Sequence, residues 1–470
     1  MFSIPRISAL NAGSRWTLVS ARKIFKRFTE DINWDILCIH ILSARIGFRS
    51  TIYAIMNGHG VSSRLYSPST PQLSEFKDIC SQTTNPATYP LACEVQSNIP
   101  IYDLAALEST GLTSDLINRL QDEWHHILHT GPGVYVLRSM YAPTKYETTL
   151  NTTNTAFNAI IAREAAQSEN KKGDHFAVGG TNDRIWNSFS KHALQDPSSF
   201  IDYYSNPWLA AVAESWLGPA YRVTAQVNAV HPGGAAQEAH RDYHLGFQEE
   251  VACKRYPATT QLTSQFLTLQ GAVAHTDMPV ASGPTRFLPY SQTYKPGYLA
   301  WRKAEFRAFF QEKYVALPLS FGDGLFFNPA LFHAAGANQM DPQNGGFRRV
   351  ANLLQISSAF GKPMETVDSV PLVDAIWDLL VERFRVAGGV LAGQELDPDT
   401  HSLQQREIRA FVQAVAEGYP FPTNLDQRPP ALSGMAPESE QDIVVRGLEG
   451  GWDRKQVVAA LEKMHVDSRA

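Results

Sequence analysis

The sequence predicts a β-sandwich or jelly roll with helical cover. Three observations lead there. Helical periodicity fills much of the chain from residue 101 to Leu217, short apolar and β-branched runs fill 221–357, and helical periodicity returns after Pro371. Gly and Pro turns separate the central runs, and the regular strand–helix alternation of a doubly wound parallel sheet is missing.

Taken in order, residues 1–29 hold Arg6, Arg15, Arg22, Lys23, Lys26 and Arg27 with no acid before Glu30, the pattern of a mitochondrial transit peptide. The other reading of residues 1–60 is a mispredicted upstream exon, because an ordinary polar stretch follows Met56. Residues 61–89 form a lead-in rich in Ser, Thr and Pro. Leu104, Leu107, Leu112, Leu116, Leu120, Trp124 and Leu128 predict helix over 101–130, its second half capped by Thr113 or Ser114. A strand at 134–137 follows Gly131-Pro132-Gly133, and helices are expected at 155–167 and 196–217. Strands are expected at 221–230, 264–273, 316–319, 324–328 and 348–357, punctuated by HPGG, SGP, FGDG and PQNGG. Helices at 372–386, 406–416 and 454–464 close the chain, the first stopped by Gly388-Gly389. The expected division is therefore a main domain at 61–365 and a helical extension at 366–470. The apolar stripe Leu372, Ile376, Leu379 and Leu380 requires that the extension pack on the main domain.

Composition limits the function. With 44% apolar and 19% charged residues, the chain is an ordinary globular protein rather than a collagen, a coiled coil or a disordered chain. A net charge of −5 provides no basic field for nucleic acid. Cys38, Cys80, Cys93 and Cys253 form no CxxC, which excludes a zinc ribbon and argues against a disulfide framework. His40, Arg45 and Arg49 interrupt the best membrane candidate, Ile36–Ile55. These features predict an intracellular protein, cytoplasmic, or mitochondrial if residues 1–29 are a transit peptide.

The chemistry is concentrated in HPGGAAQEAHRDYHLGF, residues 231–247. On a strand, alternate residues share a face, which would align Glu238, His240, Asp242 and His244. Each alone reads as an ordinary solvated or hydrogen-bonded residue, but four in register beside an apolar strand do not read as a solvent face. His333 lies far beyond, in FGDGLFFNPALFHAAGANQ, and Arg348 opens the strand after it, in GGFRRV. A lone His there is usually a satisfied core residue, whereas a buried guanidinium needs an anion. His-x-Asp with a distant His is the ligand set of the Fe(II) oxygenases, which leaves three positions for a bidentate 2-oxo acid and O2. Arg348 would pair with the far carboxylate of that acid, and Arg349 would face the other way.

HRD at 240–242, FNPALFHAAG at 327–336, GFRR at 346–349 and SGPTRFLPYSQ at 282–292 resemble the motifs of the phytanoyl-CoA dioxygenase family, as does the lead-in WLAAVAESWLGPAYRVTAQVNAV. The resemblance implies a double-stranded β-helix (jelly-roll, cupin-like) core that uses Fe(II), 2-oxoglutarate and O2. It implies His240, Asp242 and His333 as iron ligands, Arg348 on the 2-oxoglutarate C5 carboxylate, and Gln237 touching the co-substrate. Gln237 reaches the His240 face only if a bulge follows Gly233-Gly234. The chain departs from the family at Ala335, where a small polar residue is common, and at Tyr290-Ser291-Gln292. HRDYHLGF is similar to microbial members that act on specialised metabolites. The implied reaction is oxidation, foremost hydroxylation, of an unactivated C–H of a small molecule, with release of succinate and CO2. Asp242 argues against a halogenase, which needs a small residue there. The alternative is a non-redox or non-catalytic metal-binding β-helix protein, from which a carboxylate receptor at Arg348 would distinguish this chain. The pocket is expected to be mostly apolar, with Tyr243, Phe247, Phe266 and Phe327 available to line it.

Overall fold

Eleven strands form two sheets in the computed structural model, which describes residues 61–167, 181–391, 397–430, 432 and 434–470. The strands are β1 (Glu94–Gln96), β2 (Ile99–Asp103), β3 (Val134–Arg138), β4 (Asn182–Ile185), β5 (Arg222–Val230) and β6 (Thr268–Ala274). They continue as β7 (Thr285–Leu288), β8 (Val315–Ala316), β9 (Gly324–Phe327), β10 (Phe332–Ala335) and β11 (Arg349–Ser357). The large sheet runs β1-β2-β3-β9-β6-β11-β5-β4 and the small one β10-β7-β8. All pairs are antiparallel except β2 with β3. This is the jelly-roll core with helical additions.

Side-chain alternation divides the large sheet into two faces. The outer face carries Val223, Ala225, Leu269, Val273, Phe326, Leu354 and Ile356, which share one core with Trp124, Phe200, Trp377 and Phe411 of the helices. The inner face carries Ala272, Ala274, Leu325, Phe327 and Ala351, which meet Phe287 and Leu331 on the side of the small sheet. Register across β5, β11 and β6 places Gln226, Leu353 and Ala272 in one inward row, and Thr224, Gln355 and Gln270 in the next.

Helices fall close to their predicted places, with informative differences. The stretch 101–130 opens as β2, and helix follows at Leu104–Ser109 and Ser114–His129. Thr113 caps the second helix by accepting from the Leu116 amide at 3.2 Å. Residues 196–217 divide into Pro197–Tyr204 and Pro207–Leu217, because Asn206 caps a new helix whose first residue is proline. The expected strand at 264–273 begins only at Thr268, after a helix at Ala258–Ser264. β4, with Asn182, Asp183 and Arg184, lacks the apolar alternation that marks a strand and was not foreseen.

The C-terminal helices are Ser369–Val386, Leu403–Val415, Glu440–Glu449 and Arg454–Asp467. Leu372, Ile376, Trp377 and Leu380 of the first enter the shared core, and the Trp377 indole donates to the Trp452 carbonyl at 3.0 Å. Residues 65–470 form one compact unit. Among the described residues no helix is long and apolar enough to cross a membrane. The proposed targeting segment and Ile36–Ile55 lie outside the described residues.

Candidate metal centre

β5 ends in the His231–Gly234 turn, and the chain then runs back beside β10. The Gln237 amide donates to the Ala335 carbonyl at 2.9 Å, and His240 and His333 exchange both backbone hydrogen bonds at 3.0 and 3.1 Å. Two residues separate the contacts on one strand and one on the other, so the segment is bulged at Glu238–Ala239. The bulge that Gln237 required is present, a few residues later than the Gly-Gly turn. It also breaks the expected four-residue row. Glu238 is solvent-exposed, 4.0 Å from Arg307. His244 adopts φ 44° and places its Nε2 3.1 Å from the Lys362 carbonyl. His240 and Asp242 alone of the row converge, and β10 brings His333 to them.

The three side chains offer ligand atoms that all lie within 4.8 Å of one another. Asp242 Oδ2 is 3.5 Å from His333 Nε2 and 3.8 Å from His240 Nε2. The Nδ1 of each imidazole is 2.8 Å from the carbonyl two residues earlier, Glu238 for His240 and Leu331 for His333. A proton on Nδ1 donated to that carbonyl leaves the Nε2 lone pair facing Asp242, the arrangement of a metal-ligating histidine.

Burial lowers the His240 pKa, and His333 adds to the effect against the pull of Asp242. For Asp242 burial works upward, but His240, His333 and Gln270 outweigh it and hold the carboxyl well below the usual carboxylate range. Gln270 Nε2 donates to Asp242 Oδ2 at 2.7 Å. A neutral imidazole and an ionised carboxylate are the forms that bind a metal.

Between the two ligands, Arg241 points the opposite way and is 1% exposed. Its Nη2 donates to the carbonyls of Ser291 and Tyr294, and its guanidinium lies 5.3 Å from the rings of both Tyr298 and Phe332. A Cβ at Gly297 would fall 1.9 Å from the guanidinium carbon, so only glycine leaves room for it. The Tyr298 hydroxyl donates to the Asp242 carbonyl at 3.2 Å.

The assignment of Arg348 is corrected by the register. Arg348 precedes β11 and turns away from the inner face, with Nη1 3.2 Å from Asp183 and Nη2 2.8 Å from Asn158. Arg349 shares the inward parity of Ala351 and Leu353 and is 5% exposed. Its Nη1 donates to the Ser282 carbonyl at 3.3 Å, and no carboxylate among the described residues pairs with it. Burial pushes its pKa down to about 10. The pairing of Arg349 with Val230 puts it in step with Ala351 and Leu353, which gives the two arginines the opposite faces from those expected. Gln237 is half-buried, and its Oε1 accepts from the Ala335 amide at 3.2 Å.

The walls differ from expectation as well. Phe327 packs beside His333 at a ring distance of 4.7 Å, and Tyr243 is buried. Phe266 instead packs on Trp216 and His129 at 5.5 Å each, in contact with the helical core, and Phe247 is half-exposed. The inner face of the large sheet contributes Gln226, Gln270 and Gln355, so that face is more polar than the aromatic count implied.

The family model for phytanoyl-CoA dioxygenase (PhyH) matches residues 121–348, a span that holds His240, Asp242 and His333. This segment, just under half of the chain, resembles the PhyH family. The PhyH segment ends one residue before Arg349, at the mouth of β11. Dioxygenase andF of Emericella variicolor is 28% identical over 192 residues, 39% of this chain and 62% of that relative. The chain thus spans less than two thirds of its relative's length.

Among solved structures, the α-ketoglutarate-dependent epimerase SnoN of nogalamycin biosynthesis is 17% identical over 52% of this chain and 82% of its own, with a TM-score of 0.35. The carbocyclase SnoK of the same biosynthesis is 16% identical over 55% of this chain and 95% of its own, with a TM-score of 0.37. Sequence reasoning missed Arg241, Gln270 and Arg349. None of them carried a local signal: β11 is apolar at both parities, with Ala351 and Leu353 in step with Arg349 and Val350 and Leu354 in step with Arg348.

Proposed function

We propose that this chain is an Fe(II)- and 2-oxoglutarate-dependent oxygenase that oxidises a C–H of a small molecule, hydroxylation being the foremost outcome. The observation that carries the proposal is a fitted His-Asp-His cluster on the same side of the sheet as a buried arginine with no anion. His240 and His333 would present Nε2 and Asp242 a carboxylate oxygen, a donor set suited to a facial iron site. Iron bound there supplies the coupling of O2 reduction to decarboxylation of 2-oxoglutarate, giving succinate and CO2.

The chain's own residues do the rest. Gln270 aims the Asp242 carboxylate through its hydrogen bond. Arg349 would hold the C5 carboxylate of 2-oxoglutarate through a charge-assisted pair, and Gln237 would lie beside the co-substrate. Phe287 and Phe327 flank His333 and exclude water from that side. Residues 61–365 would form the catalytic body, with 366–470 buttressing its outer face.

A non-redox metal-binding role is the second reading. Arg349 favours the first, because a structural metal site has no use for an anion receptor on the neighbouring strand. The test is anaerobic addition of Fe(II) and then 2-oxoglutarate to the full-length protein, followed by succinate measurement on admission of O2. A charge-transfer absorption band that needs both additions, and succinate formed only with O2, are the expected results. Iron uptake with neither would overturn the reading.

A further inference from the structure

The inner face of the large sheet carries three buried glutamines beside the candidate metal centre: Gln226 is 1%, Gln270 6% and Gln355 8% exposed. One polar atom of each has no hydrogen-bond partner among the described residues: Gln226 Nε2, Gln270 Oε1 and Gln355 Oε1. Buried amide groups in a closed core find partners, and those that do not are costly. Gln270 and Gln355 stand directly opposite each other in the ladder, yet no hydrogen bond joins them.

The orientation of two of these amides is set by their neighbours. Arg184 Nη1, which only donates, lies 2.9 Å from Gln226 Oε1, so the Gln226 NH2 group is the one left over. The Asp242 carboxylate, which only accepts, takes the NH2 of Gln270, so the Gln270 carbonyl oxygen is left over. Gln355 adds a second free carbonyl oxygen. The wall therefore offers one donor and two acceptors. Residues directly opposite across a ladder lie about 4.5–5.5 Å apart and diagonal ones about 7–8 Å, within the span of one small molecule.

Gln355 and Gln270 sit six positions along β11 from Arg349. A carboxylate held at Arg349 would lie toward the opposite end of β11 from Gln270 and Gln355.

We infer that Gln226, Gln270 and Gln355 form a hydrogen-bonding wall that selects a substrate bearing both a carbonyl oxygen and a hydroxyl group near the C–H that reacts. The inference rests on the proposed oxygenase function. A carbonyl oxygen would accept from Gln226 and a hydroxyl would donate to Gln270 or Gln355. A hydrocarbon chain provides neither, and its binding would leave all three amides unpaired.

The experiment uses the full-length protein and a matched fused-ring series: decalin, a decalone, a decalol and a hydroxydecalone. Binding is read by ligand-observed NMR, and the Fe(II)·2-oxoglutarate absorption band is recorded in parallel. The wild type should bind the hydroxydecalone at least ten-fold more tightly than decalin. Gln226→Met and Gln355→Met, which keep side-chain length, should each erase most of that preference while leaving the absorption band unchanged. If either variant fails to fold, as judged by circular dichroism, Gln226→Glu and Gln355→Glu serve instead. Gln226→Glu should weaken carbonyl-bearing probes, and Gln355→Glu should retain the hydroxyl-bearing ones. Equal binding of all four probes, or variants that keep the wild-type preference, would overturn the inference. A wild type that shows the preference but no absorption band would support the wall and overturn the oxygenase reading alone.

Discussion

Replacing Arg349 by methionine should have opposite effects on the ligand-free and ligand-bound protein. In the free protein the guanidinium is buried against one carbonyl, and its pKa falls to about 10. An ordinary arginine titrates above 12, and each pKa unit corresponds to ~1.4 kcal/mol, so holding this charge costs the free fold about 3 kcal/mol. Because the folded pKa lies below the unfolded one, that cost is fully present at neutral pH and fades only as pH rises through about 10. Arg349→Met should therefore raise the melting temperature of the ligand-free protein.

Binding 2-oxoglutarate supplies the missing anion. Breaking such a buried pair costs about 3–5 kcal/mol, or roughly 10²- to 10³-fold and more in affinity. Titration calorimetry with 2-oxoglutarate on the Fe(II)-loaded protein should show that loss for Arg349→Met, and wild-type affinity for Arg348→Met. The reverse pattern, or no loss in either variant, would refute the assignment of Arg349 and the register argument behind it.

Iron analysis of anaerobically loaded protein should give one equivalent in the wild type and none in His333→Ala, whereas His244→Ala should retain iron and alter turnover. A variant lacking both His240 and Asp242 that still bound a full equivalent would exclude this centre. Gln270→Leu should lower iron affinity by about 10–100-fold in a competition assay with a chelator, as loss of a ligand's orienting partner does. Truncation after Lys362 should yield aggregated protein, because Phe200 loses Phe411, which packs against it at 5.6 Å, and the shared core loses Trp377; a soluble, monodisperse product on size exclusion would contradict this. His465 has its pKa raised by its 2.6 Å hydrogen bond to Glu440. That contribution is present below the ordinary histidine pKa and is lost as pH rises through the raised value, so His465→Gln should flatten the pH dependence of the melting temperature above the ordinary histidine range.

Much of this was readable in the residues because it depends on local pattern. The nine-residue strands β5 and β11 announce themselves through their many apolar and β-branched residues, and His-x-Asp is compact enough to be seen without a structure. What escaped depends on register and on distant partners. Arg348 and Arg349 are identical in type, and only the pairing register of β11 decides which one faces inward. The row of Glu238, His240, Asp242 and His244 assumed an unbroken strand, but the bulge at Glu238–Ala239 and the positive φ of His244 end it on both sides. β4 is polar because it lies at the edge of the sheet. Gln270 is an unremarked glutamine in an apolar strand until the ladder brings it to Asp242.

The cage around Arg241 bears on how such sites diversify. A His-x-Asp motif is usually written as if its middle position were free. Here that position and Gly297, more than fifty residues away, occupy one volume. A relative with a small side chain at the first site would leave a void beneath both ligands unless it carried a larger one at the second. The two positions should therefore change together over evolutionary time, and a library that randomises residue 241 alone should recover arginine, while one that randomises both should recover alternative pairs of similar combined volume.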